Sequence, residues 1–316
     1  MSLAAVVAAL CVENSCPGQQ FGHKLLGGLG LQAGVQPDTG VYVGDQVVVY
    51  DSRELFDRHG GRVPERFRLI GVGNAVGAGF SYRLPRLATY VSAAVSLPIV
   101  WISGKSGTPA AHIDLVGVAD VYVQPVRLGW RLSHCDLVTG YAFYVPVGSM
   151  AQDEGPTGVS RAQWTHEISL GGTVYFDRRG SWSLSALGAW DINGRKIGID
   201  FTRGETIQVQ GGLGKTFAGI VSIGPVGYAL YQVQNDRGSA VPPQLIGARD
   251  RAFGLGAELD LTLEKGRTQL FFRYVHDIDV QTRPEAQLFF VGVAIRAWKT
   301  SGAQSLTQPT LPPIGM

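Results

Sequence analysis

The 316-residue chain is poor in charge: Asp, Glu, Lys and Arg make up 16% of it, and 27 basic against 25 acidic residues leave a formal net charge of +2. The charges are scattered, with no basic tract to follow a phosphate backbone, so nucleic acid is not an expected partner. Cysteine is scarce as well. Cys11, Cys16 and Cys135 lack the paired spacing of a zinc site, and a Cys11–Cys16 disulfide is an option only in an oxidising compartment. Long apolar helical runs are missing too. Residues 87–104 and 217–234 are uncharged, but Pro98 and Pro225 interrupt them and both alternate, so they read as strands.

The start of the chain lacks the parts of a complete export signal. LAAVVAALCV at residues 3–12 resembles an apolar signal core, yet no Lys or Arg precedes it, the first basic residue being Lys24, and Leu10 before Cys11 spoils a lipoprotein processing site. Residues 1–23 are therefore read as an incomplete signal or a segment preceding the main domain. Catalytic signatures are lacking as well. The GKS at 104–106 has Ile99 where a phosphate-binding loop needs glycine, and it falls in an expected loop with no helix to follow. The six histidines form no HExxH, and no serine sits in a nucleophile elbow. His134 beside Cys135 and His166 beside Glu167 cannot converge, because adjacent strand residues point to opposite faces. No enzyme activity, cofactor or metal is expected.

What the sequence has is glycine, 43 residues of it, and period-two alternation over most of its length. Across 161–176, Gln163, Thr165, Glu167, Ser169 and Thr173 alternate with Trp164, His166, Ile168, Leu170, Val174 and Phe176. Residues 181–193 set Ser183, Ser185 and Asp191 against Trp182, Leu184 and Trp190, while 205–217 set Gln208 and Gln210 against Ile207 and Val209. The pattern predicts about twelve strands, near 41–50, 66–82, 87–102, 113–126, 129–147, 161–176, 181–193, 204–217, 219–234, 250–264, 267–279 and 286–298. Ladder breaks or bulges are expected at Pro98 and Pro225.

The connections alternate long and short: 51–65, 103–112, 148–160, 194–203 and 235–249 are long, whereas 83–86, 127–128, 177–180, 218 and 265–266 are tight. An even number of antiparallel strands with long loops at one end and short turns at the other is the plan of an outer-membrane β-barrel. A tilted strand crosses the hydrocarbon with roughly 9–11 residues. The expected fold is thus an all-β antiparallel transmembrane barrel over 24–298, followed by a polar tail at 299–316. Trp164, Phe176, Trp182, Trp190, Phe272 and Tyr274 are expected on the lipid-facing girdle.

Several segments resemble the outer-membrane family labelled for the MetA pathway of phenol degradation: QPDTGVYVGDQVVVY at 36–50, GVADVYVQPVRLGW at 117–130, GYAFYVPVGS at 140–149, GYALYQVQND at 227–236, and the closing AFGLGAELDL and RYVHDID. The resemblance covers about 24–298. It implies a single barrel in the outer membrane of a Gram-negative bacterium, with a role in uptake of hydrophobic or aromatic compounds.

A two-residue turn at Lys265–Gly266 would place Glu258 opposite Arg273, Thr262 opposite Gln269 and Leu259 opposite Phe272. With Glu167, Gln208, Gln210, Gln232, Asp260 and Arg296, these polar residues are candidates to line the interior, where charge tunes passage. Alternatively they pair across strands and fill a barrel with no through-path. Three readings follow: a passive channel for small hydrophobic or aromatic solutes, a filled barrel serving structure or surface interaction, and a soluble exported lipid-binding barrel. The expected partners are outer-membrane lipid and such a solute.

Overall fold

The computed structural model describes residues 22–107, 110–147, 159–264 and 266–298. Thirteen strands follow in order: β1 (Gly40–Leu55), β2 (Phe67–Leu84), β3 (Thr89–Gly107), β4 (Ala110–Val118), β5 (Val121–Arg131), β6 (Cys135–Val145), β7 (Thr165–Tyr175), β8 (Trp182–Asn193), β9 (Thr206–Phe217), β10 (Val221–Gln232), β11 (Arg251–Leu263), β12 (Thr268–Gln281) and β13 (Pro284–Trp298). Each pairs antiparallel with its sequence neighbour, except that β3 carries β4 on Ile99–Gly107 and β5 on Tyr90–Ser96. β4 and β5 thus lie end to end in one ladder position. Pairing of β1 with β13 closes a twelve-position barrel. Closure is what the membrane demands, since an open sheet edge would leave backbone groups unpaired in hydrocarbon.

The alternation decides which side chains go where. Leu170, Ile168, Val174, Leu184, Ile207 and Val209 project outward and are 45–70% exposed, while Thr165, Glu167, Thr173, Ser185, Gln208 and Gln210 point inward and are 2% exposed or less. Among the described residues no helix is long and apolar enough to cross a membrane; strands do the crossing.

Both prolines expected to disturb the ladder do so. The β4–β5 break falls opposite Pro98, whose carbonyl accepts from Ala119 N at 2.9 Å, and the β9–β10 ladder loses its pairs between Ile223 and Val226 around Pro225. Two expectations fail. The turn placed at 127–128 lies inside β5, and the real turn is 132–134; a bulge between Val123 and Val126, beside Pro125, shifts the register and so blurs the alternation that marked the boundary. Of residues 103–112, expected to be a loop containing GKS, 103–107 and 110–112 instead belong to the paired strands β3 and β4, in which Lys105 pairs with His112.

Five tight turns lie at one end, joining β2–β3, β5–β6, β7–β8, β9–β10 and β11–β12. Gly40 and Trp298 sit at that same end, the periplasmic one in a barrel of this plan. The Lys265 turn position, the apolar run at 3–12, the Cys11–Cys16 pair and the tail at 299–316 lie outside the described residues.

Candidate functional site in the barrel lumen

The lumen is not empty. Residues 22–39 run down through it to the short-turn end, and most of the polar residues expected on the inner wall grip this segment. Asp38, at the bottom, meets Arg131 at 2.7 Å and Arg296 at 3.2 Å. Above it, Gln36 N donates to Asp136 at 3.0 Å and Gly34 N to Ser185 Oγ at 2.7 Å. Leu31 N donates to Glu258 at 3.2 Å, Gln32 Nε2 to Asp260 at 3.2 Å, and Leu29 N to Gln210 Oε1 at 3.1 Å. Arg273 Nε reaches Glu258 at 2.5 Å while its Nη1 donates to the Gly27 carbonyl at 2.8 Å. Lys24 Nζ lies 3.0 and 3.1 Å from the two oxygens of Glu167, and its charge sits over the Tyr122 ring.

Glycine makes this threading possible. A Cβ at Gly34 would land on the backbone of Gly172, and one at Gly30 on the Glu258 carboxylate. Only a chain without side chains at those points can pass so close to the wall.

Gln208 does not touch the segment directly; it donates to Asp191 at 3.1 Å and accepts from Gln210 at 2.9 Å. Gln232 stands apart at the long-loop end, donating to Asp236 at 2.6 Å and accepting from Asp250 N. The register expected for β11 and β12 is present, with Glu258 opposite Arg273, Thr262 opposite Gln269 and Leu259 opposite Phe272.

Outside, Trp164 and Trp190 stand at the long-loop end and Phe176 and Trp182 at the short-turn end, with Phe272 and Tyr274 on the outer face of β12; all six are 38–60% exposed. Trp190 Nε1 donates to Glu205 at 2.9 Å, and Lys215 sits 4.9 Å from the centre of the Trp182 ring, donating to Ser181 Oγ. Such amphipathic rings, with one polar tip, suit an interface between lipid and water.

Sequence reasoning missed Lys24, Asp38, Arg131 and the segment that carries two of them. One signal was available. The β7–β8 register sets Glu167 opposite Asp191, two carboxylates facing each other on the inner side, which calls for a cation from elsewhere. Lys24 is that cation.

Above the inserted segment lies a cavity of about 190 Å³, floored by Leu25 and Leu26 and walled by Val48, Leu69, Val100, Ile102 and Leu288. Polar groups gather at one side. His23 stacks on Tyr144 with ring centroids 4.6 Å apart and lies 2.7 Å from Asp120 and 2.8 Å from Thr165 Oγ1. Asp120, in the gap between β4 and β5, also accepts from Ser160 Oγ at 2.5 Å and Arg161 N at 2.7 Å.

Behind Arg161 is the β8–β9 loop, tied to it by Ile197 N donating to the Ala162 carbonyl at 2.7 Å. There Arg203 pairs with Asp250 at 2.8 Å, and Asp250 also takes Arg283 at 3.3 Å. Lys196 Nζ is buried without a hydrogen-bond partner among the described residues. Burial, then the charges of Arg161 and Arg203, push its pKa down to about 7. Burial likewise pushes Arg161 down to about 10, opposed by Asp120 and reinforced by Arg203.

Residues 59–292 match the family described as "Putative MetA-pathway of phenol degradation". The chain belongs to that family. In structure this family member is similar to an outer membrane channel from Pseudomonas putida F1, with 12% identity over 83% of this chain and 97% of that one and a TM-score of 0.72. It is also similar to the translocator domain of the autotransporter NalP from Neisseria meningitidis, with 10% identity over 83% of this chain and 90% of that one and a TM-score of 0.47. At such identities the first likeness establishes the fold, an outer-membrane β-barrel, and the second adds nothing to it. No curated protein sequence matches the chain.

Proposed function

We propose that the protein is a passive outer-membrane channel for small apolar or aromatic molecules. The observation that supports it best is the cavity: an apolar chamber inside the barrel wall, bounded below by a segment that is held by side chains rather than woven into the sheet. Ligand sites of this kind are mostly apolar with few placed polar groups. The family description, phenol degradation, points to the same class of solute, and the likeness to an outer membrane channel supports transport rather than catalysis.

The test is permeation of proteoliposomes by benzyl alcohol against a sugar of similar mass. Faster entry of the aromatic compound, beyond its rate in protein-free vesicles, is the expected result. Equal rates in both kinds of vesicle would reject the channel.

The second reading, a filled barrel without a through-path, is favoured by the inserted segment itself, whose ion pairs to Arg131, Arg296 and Glu167 and hydrogen bond from Arg273 resist displacement. Under that reading neither solute enters faster than in protein-free vesicles and the variants discussed below leave conductance at its baseline.

A further inference from the structure

Hydrogen-bonding capacity around the cavity is lopsided. Its carboxylates are already occupied: Asp120 accepts from His23, Ser160 and the Arg161 backbone, and Asp277 from Tyr228 Oη and Ala286 N. Several of its donors are not. Tyr144 is 2% exposed, and among the described residues its hydroxyl has no partner, and neither do Arg161 Nη1 and Ser96 Oγ. All three residues line the cavity. Arg161 is half-buried, but its Nη1 is shut off from water without an acceptor, which is costly, and the charges of Arg203 and Lys196 lie at its back.

We infer that the cavity takes a small aromatic carboxylate, its ring against Val48, Leu69 and Ile102 and its carboxyl group on Arg161 and Tyr144. This rests on the channel reading and narrows the solute class within it. A cavity of about 150 Å³ accepts a benzene ring, so 190 Å³ leaves room for a ring with one carboxyl group. A phenol or alcohol would spend its own proton among groups that are themselves donors. A carboxylate brings acceptors only, matches the planar fork of arginine and neutralises the surplus positive charge.

The experiment uses the full chain in detergent, titrated with sodium benzoate and with benzyl alcohol, its neutral near-isostere, and followed by saturation-transfer NMR. In the native protein benzoate binds at least tenfold more tightly than benzyl alcohol, and Arg161→Gln brings the ratio of the two affinities close to one, whereas Arg161→Lys retains part of it. Heat-modifiable gel migration verifies that each variant is folded. Should Arg161→Gln fail to assemble, Tyr144→Phe lowers the same ratio about threefold, the loss of one hydrogen bond. A native ratio near one, or a ratio kept intact in Arg161→Gln, overturns the inference while benzyl alcohol binding leaves the channel standing. Binding of neither compound removes both.

Discussion

Arg273→Met should loosen the inserted segment without opening the barrel wall. Arg273 ties three things together: the Glu258 carboxylate at 2.5 Å, the Gly27 carbonyl at 2.8 Å and, through Glu258, the Leu31 amide at 3.2 Å. Both charged groups are buried, at 6% and 3% exposure. Removing the arginine strands Glu258, whose neighbour on the same face is another acid, Asp260. Orphaning one half of a buried ion pair costs about 3–5 kcal/mol. The backbone ladder from β11 to β12 runs unbroken past this site, so the loss falls mainly on the seating of residues 22–39. An equilibrium between seated and released segment then shifts roughly 100- to 1,000-fold or more towards release. Two assays read this. Conductance in planar bilayers should rise, and Leu31→Cys, buried in the native protein, should become reactive to a water-soluble maleimide. Glu258→Gln/Arg273→Met, which removes both charges, should recover most of the protection. Native-like conductance and protection in Arg273→Met, or no recovery in the double variant, would refute the clamp.

Three further outcomes are expected. Leu170→Arg, at a position 70% exposed in the middle of β7, should lower unfolding free energy in bilayers by about 2–4 kcal/mol, as read by urea titration and gel migration. Gly34→Val should displace the inserted segment, because the new side chain must occupy space held by the Gly172 backbone; maleimide access at Leu31→Cys reports it. Lys196 supplies a pH dependence. Its pKa falls from an unfolded value near 10.5 to about 7 in the fold, so between those limits the unfolded chain binds the extra proton and stability rises with pH, levelling off below about 7. Lys196→Met should flatten that rise and raise stability at neutral pH by on the order of 1–3 kcal/mol; thermal unfolding at pH 7 and pH 9.5 measures both.

The wall of this barrel was legible because each strand reports its own environment at every second residue. Trp182, Leu184 and Trp190 against Ser183, Ser185 and Asp191 identify two solvents without reference to any other strand. Even the β11–β12 register could be worked out, since a tight turn leaves little freedom. Legibility ended where partners are remote. GHKLLGGLGLQAGVQPDT at 22–39 has neither period, and its contacts lie far along the chain: Gly27 meets Arg273 at a separation of 246 residues and Asp38 meets Arg296 at 258. Glu167, Glu258 and Asp260 read correctly as inward-facing, yet their use as handles for that segment could not be read from β-strand pattern alone. The β5 boundary was obscured for a local reason, the bulge beside Pro125. Asp45 is a different case. It interrupts the outward row Val41, Val43, Val47 and Val49, and the structure shows it accepting from Asn74 at 2.6 Å across the β1–β2 ladder, a polar pair on an otherwise greasy wall.

The threaded segment also constrains how such a molecule can be made. Residues 22–39 leave the ribosome before any strand, yet their grips come from β5, β6, β7, β8, β9, β11, β12 and β13. A piece made before any of these strands must therefore wait for the last of them, β13, before all its polar groups find partners.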